Sequence, residues 1–145
     1  MGLRNLHTFD AEYASAYGIL KALYTFAKRK NKGAKSDPAF NYVAQFACRE
    51  GAWLAAAKDL GSTNIVGIDT RDAFETPLCI DPSEFKDMDL AKVKVNLPRK
   101  SDLLICVEYV HELNTTRGED IVTDICNSSD QVLFSSGVPY QGNHP

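Results

Sequence analysis

The sequence predicts an α/β fold with a mostly parallel sheet of about five strands and helices on both faces. Short apolar segments alternate with helical patterns along most of the 145 residues, which is typical of parallel strands joined by right-handed crossovers. The segment 43–69, VAQFACREGAWLAAAKDLGSTNIVGID, has the pattern of a strand, a turn, a helix and a second strand. The segment 102–108, DLLICVE, contains a continuous apolar run, as expected for a strand that is covered on both faces.

An amphipathic helix comes first. Between residues 10 and 30 the apolar side chains recur at steps of three and four, which places them on one helical face; these are Tyr13, Ala16, Tyr17, Leu20, Leu23, Tyr24 and Ala27. Thr8 or Asp10 is expected to cap the start of this helix, and Gly33 with Pro38 to end it. We expect the helix to pack beside the main domain or over its ligand cleft.

The chain is short enough to form one domain with a single core. We expect residues 1–37 to hold the N-terminal helix and a linker, and residues 38–145 to hold the α/β core. In that core, strand one is YVAQFA, and the next helix begins near Gly51 and stops at Gly61, a residue type common just past a helix end. Strand two is NIVGID, and a short third strand is expected to end near DMDL at 87–90.

The second half of the core repeats the alternation. Strand four is DLLICVE, a helix occupies 118–128, and strand five is QVLFSS at 131–136. Ligands of such sheets lie beyond the carboxyl ends of the strands. Polar groups converge on that edge of this sheet, at Ala47-Cys48-Arg49, Asp69, Asp89 or nearby, Glu108-Tyr109 and Ser135-Ser136-Gly137.

Composition and charge exclude several classes of function. The net charge of −3 gives no general attraction to nucleic acid. The one basic run, KRKNKGAK at 28–35, is read as a solvated helix end, with a phosphate or RNA contact as the alternative. Apolar runs are too short to span a membrane. The four cysteines, at 48, 79, 106 and 126, show no zinc-type spacing, so we predict free thiols in a reducing, cytoplasmic compartment and no metal site.

Four segments in order resemble the class I S-adenosylmethionine-dependent methyltransferases of the small-molecule type. FACREGAWLAAAKDLGSTNIVGID resembles the first two motifs of the family, SDLLICVEYVHEL its fourth strand, and DQVLFSSGVPYQG its fifth-strand segment. The resemblance covers residues 43–142 and implies a Rossmann-like methyltransferase sheet that binds S-adenosylmethionine. The sheet of the family normally continues with a further helix and two strands, so we expect this one to lack the last two strands. A natural short form, a fragment, and an edge covered by another subunit all remain open.

The first motif departs from the family pattern. In the family, strand one ends in an acid and the turn after it has alternating glycines. Here Gln45 stands at the acid position, Ala47 and Arg49 stand at the first two glycine positions, and only Gly51 is kept. Ala47 adds one methyl group to a turn that must approach the cofactor closely, Arg49 adds a long cation, and Gln45 removes a negative charge.

The resemblance implies the residues of the cofactor site. Gln45, Ala47, Cys48 and Gly51 belong to the first motif, and Asp69 suits the two ribose hydroxyls, with a turn cap as the alternative. Asp89, or its neighbour Asp87, is expected near the adenine amino group.

Glu108 is expected to face the cleft, and the resemblance implies that it helps to hold the cofactor. His111, three residues later, is the one candidate catalytic residue, since the two side chains can form an acid and base pair on one helical turn. The alternative for His111 is a partly exposed histidine at a helix start.

Two functions follow from this sequence. The first is methyl transfer from S-adenosylmethionine to an unidentified small-molecule acceptor. The alternative is a non-catalytic protein of the same fold that serves as a binding or interaction module, because its first motif is altered. The apolar fifth strand, with no cover visible in the sequence, also predicts a homo-oligomer through that strand's edge.

Overall fold

The computed structural model describes residues 4–30 and 39–137. The helices are α1 (Arg4–Lys30), α2 (Ala52–Asp59) and α3 (Thr115–Ser128), and the strands are β1 (Tyr42–Phe46), β2 (Asn64–Asp69), β3 (Phe85–Asp87), β4 (Leu103–Val107) and β5 (Val132–Ser135). Short 3₁₀ turns occupy Arg71–Ala73, Pro82–Glu84 and Val110–Glu112.

The five strands form one sheet in the order β3-β2-β1-β4-β5, and every pair is parallel. This confirms the predicted sheet. The order reverses at β1, which pairs with β2 on one side and with β4 on the other. A crevice is expected at the carboxyl end of such a switch point.

Helices cover both faces of the sheet, and side chains of β1 alternate between the two layers. Val43 belongs to the core beneath α1 and α2, together with Leu20, Trp53 and Leu54. Ala44 and Phe46 belong to the core beneath α3, together with Ile121 and Ile125. The strand β1 contributes side chains to both cores because alternate residues of a strand point to opposite faces of the sheet.

Helix α1 packs on α2 through Ala16, Leu20 and Tyr24, which are all buried. The Tyr24 hydroxyl lies 2.7 Å from the Ser62 hydroxyl, which itself donates to the Phe40 carbonyl at 2.6 Å. Burial raises the pKa of Tyr24. This buried chain of hydrogen bonds joins the helix to the start of the sheet.

Two helix starts differ from the sequence prediction. Helix α1 begins at Arg4, so Thr8 and Asp10 lie inside it and the predicted caps were wrong; Gly33 and Pro38 lie outside the described residues. Helix α3 begins at Thr115 rather than at 118, because the Asn114 side chain accepts a hydrogen bond from the Arg117 amide at 2.8 Å and caps the helix.

Of the residues described, no helix has both the length and the apolar character needed to cross a membrane.

Two glycines of this fold predict opposite effects of the same substitution. A Cβ atom at Gly67 in β2 would lie 2.5 Å from the Cys48 Sγ atom and 2.9 Å from Leu54 Cδ1, whereas one at Gly18 in α1 would meet nothing within 4 Å. Gly67→Ala should therefore lower the free energy of unfolding by about 1–3 kcal/mol. Gly18→Ala should raise it by about 0.5–1 kcal/mol, because alanine favours the helix. Urea denaturation measures the free energy of unfolding of both variants. An equal change in that free energy for Gly67→Ala and Gly18→Ala would contradict the close packing around β2.

Candidate functional site

A cavity of about 550 Å³ opens at the carboxyl ends of β1, β2, β4 and β5, beneath one side of α1. Its walls combine acidic, aromatic and aliphatic side chains with a single arginine. The lining residues are Glu12, Ile19, Gln45, Ala47, Arg49, Trp53, Asp69, Val107, Glu108, Tyr109, Glu112, Leu133, Phe134 and Ser135. The cavity therefore lies at the switch point where the fold expects a ligand.

The turn after β1 keeps a glycine-type backbone although two of its residues are not glycine. Ala47 has φ 59°, Arg49 has φ 50° and Gly51 has φ 96°. The left-handed region costs a residue with a side chain about 1–2 kcal/mol. The Ala47 amide donates to the Ile68 carbonyl at 2.8 Å, which helps to hold this conformation.

A third strained residue lies at the same cavity. Glu108, directly after β4, has φ 53°, and its amide donates to the Ser135 carbonyl at 2.9 Å. Ala47, Arg49 and Glu108 are the non-glycine residues with positive φ among those described, and all three line the cavity. Backbone strain of this kind concentrates at binding and catalytic sites, so its distribution makes this cavity the candidate functional site.

Asp69 ends β2 and is fixed by the main chain. Its Oδ2 atom accepts the Arg49 amide at 2.8 Å and its Oδ1 atom accepts the Thr70 amide at 2.7 Å. Burial raises the pKa of this carboxyl above its usual 3.8, although the two amides act in the opposite direction. Each oxygen of a carboxylate accepts about two hydrogen bonds, so each keeps capacity for a ligand hydroxyl.

Gln45 lies on the floor of the cavity between two neighbouring strands. It pairs in register with Gly67 of β2 and Ile105 of β4, and its side chain is 1% exposed. Within the described part of the chain, the Oε1 atom finds no hydrogen-bond donor. A buried acceptor without a donor lowers stability by about 1–3 kcal/mol.

Tyr109 and Glu108 form the wall after β4. Burial, together with the nearby charges of Asp69 and Asp89, raises the pKa of Tyr109 to about 12, so its hydroxyl stays protonated. The Glu108 side chain is half exposed, and its Oε2 atom lies 3.8 Å from the His111 Nδ1 atom. The wall thus offers one hydroxyl donor and one carboxylate.

His111 lies in the 3₁₀ turn after β4 and is not among the residues that line the cavity. Its Nδ1 atom accepts the Gly137 amide at 2.8 Å and lies 3.3 Å from the Ser136 hydroxyl. Because an amide can only donate, this arrangement requires the tautomer with its proton on Nε2. The imidazole therefore holds the segment that follows β5.

Three other predicted site residues also do not line the cavity. Cys48 is buried between β2 and α2, where burial strongly raises the pKa of its thiol. Gly51 starts α2 against the side chain of Ile80, which a Cβ atom would approach to 3.0 Å. Asp89 accepts the Ala91 amide at 3.0 Å and lies 3.9 Å from the Lys92 ammonium.

The alternative to Asp89 is also occupied. Asp87 ends β3 and accepts the Arg71 amide at 3.0 Å, with its side chain on the surface. Neither aspartate lines the cavity. Their expected position near an adenine amino group stays a prediction.

Several lining residues had no signal in the sequence. Glu12 and Ile19 come from α1, and their contribution depends on how that helix packs. Trp53 is the second residue of α2, and Leu133 and Phe134 belong to β5. The apolar pattern predicted the elements that carry these side chains, but no local pattern indicates which of them faces a cavity.

The likeness of this chain to known proteins lies in its fold. The sequence matches no family model, and no curated protein sequence is significantly similar to it. Solved structures do match. One is the plantazolicin methyltransferase BpumL in complex with a monoazolic desmethylPZN analogue and S-adenosylhomocysteine, with TM-score 0.64 and 12% identity over 92% of this chain and 49% of that one. The chain has a class I S-adenosylmethionine-dependent methyltransferase fold.

Two further structures agree with this fold. DesVI from Streptomyces venezuelae has TM-score 0.61 and 14% identity over 89% of this chain and 52% of its own. An O-methyltransferase family protein from Burkholderia thailandensis has TM-score 0.52 and 12% identity over 87% of this chain and 40% of its own. The chain thus spans about half the length of DesVI and of BpumL.

The left-handed backbone of the turn after β1 predicts that a glycine substitution there stabilises the protein. Ala47→Gly should raise the free energy of unfolding by up to about 1 kcal/mol, because the strain at φ 59° is relieved. The control Ala55→Gly, in the middle of α2, should lower it by about 1 kcal/mol. Thermal and urea unfolding of both variants test this; a destabilised Ala47→Gly would show that the turn is not held in the left-handed region.

Proposed function

We propose that this chain is an S-adenosylmethionine-dependent methyltransferase domain that acts on a small-molecule acceptor. The observation that carries the proposal is the turn after β1. It keeps the glycine-type conformation at Ala47, Arg49 and Gly51, and its Arg49 amide is bonded to the Asp69 carboxylate. The main chain and the ribose-binding acid of a cofactor site are thus held in one rigid unit.

Each part of the cavity wall has a role in this proposal. Asp69 accepts the ribose hydroxyls of the cofactor through its remaining lone pairs. The left-handed backbone of Ala47 and Arg49 lets the turn approach the adenosyl group, while Cys48 fills the space behind the turn. Glu108 and Tyr109 close the opposite wall.

When bound, S-adenosylmethionine supplies a methyl group on a positively charged sulfur. Methyl transfer depends on holding the acceptor in line with that group, so the chain's task is orientation. Ile19, Trp53 and Phe134 give the cavity an apolar side that favours an acceptor with an apolar or aromatic body. The catalytic role of His111 stays a prediction. Holding the acceptor in line with the methyl group does not by itself require a base at this position.

A second candidate is a non-catalytic binding module. It is favoured by Gln45, which leaves β1 without the carboxylate that the family carries at this position. Incubation with methyl-labelled cofactor and acceptors bearing hydroxyl, amine or thiol groups separates the two. Labelled product supports the enzyme; cofactor binding without any labelled product supports the module.

Asp69→Asn should weaken binding of S-adenosylhomocysteine by about ten-fold or more, because one charged acceptor for two hydroxyls is lost. Asp130→Asn is the matched control, since the Asp130 side chain is exposed, lies 3.1 Å from the Lys100 ammonium and does not line the cavity. Calorimetric titration measures both affinities. Equal affinity of the two variants would contradict the assignment of Asp69, and no binding by the folded wild-type protein would contradict the cofactor site itself.

The affinity should also depend on pH in a defined direction. Burial raises the pKa of Asp69 above 3.8, so on acidification this carboxylate becomes protonated at a higher pH than an ordinary aspartate. The affinity for S-adenosylhomocysteine should therefore be highest at neutral pH. On acidification it should begin to fall at a pH above the range in which an ordinary aspartate titrates. Asp69→Asn should show no such fall; an identical pH profile in both proteins would assign the dependence to another group.

We further propose that the protein works in a reducing, cytoplasmic compartment and self-associates through β5. All four cysteines are free thiols. Among the described residues β5 pairs only with β4, and its Val132 and Phe134 side chains are 39% and 46% exposed. An apolar edge of this kind favours pairing with another strand.

Sedimentation at tens of micromolar protein should then show a dimer, and Val132→Lys should shift it to the monomer. Val122→Lys, at a similarly exposed position on α3, should leave the dimer intact. A wild-type monomer with good thermal stability would contradict self-association.

A further inference from the structure

The charges around the cavity are unbalanced. Its lining includes four carboxylates, which belong to Glu12, Asp69, Glu108 and Glu112, and a single guanidinium. That guanidinium cannot neutralise them, and the Arg49 Nε atom also lies 3.6 Å from the Oε2 atom of Glu50. The walls therefore give the cavity a negative potential, which a partly enclosed site concentrates.

Glu108 and Glu112 supply charge that no cation of the described residues balances. The Glu108 Oε2 atom lies 3.8 Å from the His111 Nδ1 atom, but that nitrogen accepts the Gly137 amide and is therefore unprotonated. Glu112 is exposed, and its carboxylate forms no hydrogen bond or ion pair with another described residue. Burial and, to a smaller extent, the charge of Glu112 raise the pKa of Asp69, so these two carboxylates lie within electrostatic range of each other.

A buried hydrogen-bond acceptor in the same cavity is a second, independent observation. Gln45 lines the cavity and is 1% exposed, and its Oε1 atom meets no donor from the described residues. Only a ligand that carries a donor satisfies such an oxygen. Charge and hydrogen bonding thus favour the same kind of ligand, a cation that donates hydrogen bonds.

We propose that the methyl acceptor is an amine, held as its ammonium ion at the carboxylates of Glu108 and Glu112, with its body against the apolar side of the cavity. This inference rests on the proposed methyltransferase function and names its substrate class. An aliphatic amine is protonated at neutral pH and forms charge-assisted hydrogen bonds with carboxylates. The same walls repel an acceptor that carries a carboxylate or a phosphate.

Methylation of an amine needs the nitrogen in its neutral form. The Glu108 side chain is 55% exposed, so the proton that leaves the ammonium has a path to solvent beside it. The nitrogen lone pair then forms the bond to the methyl carbon, while the carbon–sulfur bond breaks and its electron pair stays on sulfur. The positive charge moves from sulfur to the methylated nitrogen, where the carboxylates stabilise it.

Three probes with the same aromatic ring isolate the charged group. At neutral pH benzylamine is a cation, benzyl alcohol is neutral and benzoate is an anion. In protein saturated with S-adenosylhomocysteine, benzylamine should bind about ten-fold more tightly than benzyl alcohol, and benzoate should bind most weakly. Amide chemical shifts of the ¹⁵N-labelled protein measure the three affinities, and those of Glu108, Tyr109 and Glu112 should change with benzylamine.

Matched variants assign the preference to these carboxylates. Glu108→Gln and Glu112→Gln should each reduce the preference for benzylamine by about three-fold or more, while the affinity for benzyl alcohol stays the same. Glu119→Gln, at an exposed position of α3 that does not line the cavity, is the control and should change neither affinity. Raising the salt concentration should reduce the preference of the wild-type protein, because salt screens exposed charges.

The outcomes separate this inference from the proposed function. Equal affinities for benzylamine and benzyl alcohol, or no binding of benzylamine, in a protein that binds S-adenosylhomocysteine would overturn the inference and leave the cofactor site in place. Tighter binding of benzoate would also overturn it and make Arg49 the residue that selects the acceptor. An unchanged preference in both glutamine variants would remove Glu108 and Glu112 from the acceptor site. A protein that prefers benzylamine but does not bind S-adenosylhomocysteine would contradict the proposed function and leave an amine-binding cavity.

Discussion

The hydrogen bond from the Arg49 amide to the Asp69 carboxylate holds the functional end of the sheet together. At 2.8 Å it joins the turn after β1 to the end of β2, and the bond from the Ala47 amide to the Ile68 carbonyl supports it from below. Both donor amides belong to residues with a left-handed backbone. The same turn places Gly51 at the start of α2. The turn after β1 therefore positions the cavity wall, the Asp69 carboxylate and the helix α2 together.

This arrangement explains how the turn keeps its form with two glycines replaced. Glycine lowers the cost of a left-handed backbone, but it does not supply the contacts that select it. Here the hydrogen bonds of the Ala47 and Arg49 amides select the left-handed backbone. The two side chains therefore lower the stability of the protein but leave the conformation of the turn unchanged. The buried oxygen of Gln45 adds a second local cost at the same cavity. Natural proteins tolerate such local violations mainly at functional sites.

Much of the fold was predictable because it depends on local patterns. The apolar runs of β1, β2, β4 and β5 and the glycine after α2 identified the elements to within a residue or two. The start of α1 was missed because its first turns continue beyond the apolar stripe, and the start of α3 was missed because Asn114 supplies the cap.

The site was less predictable than the fold. Gln45, Ala47, Asp69 and Glu108 follow from strand ends, and the structure brings all four to one cavity. The contact of His111 with Gly137 joins residues far apart in the chain, and the approach of Glu12 depends on helix packing. Such long-range contacts leave no periodic signal in one sequence.

The central claim is that the altered turn after β1 and the acid of β2 still form one adenosyl-binding unit. Amide chemical shifts of the ¹⁵N-labelled protein, followed during addition of S-adenosylhomocysteine, test it most directly. The account predicts that shifts at Ala47, Arg49 and Thr70 change together and saturate at the same ligand concentration. Unchanged shifts at these three amides, in a folded protein at millimolar ligand, would contradict it.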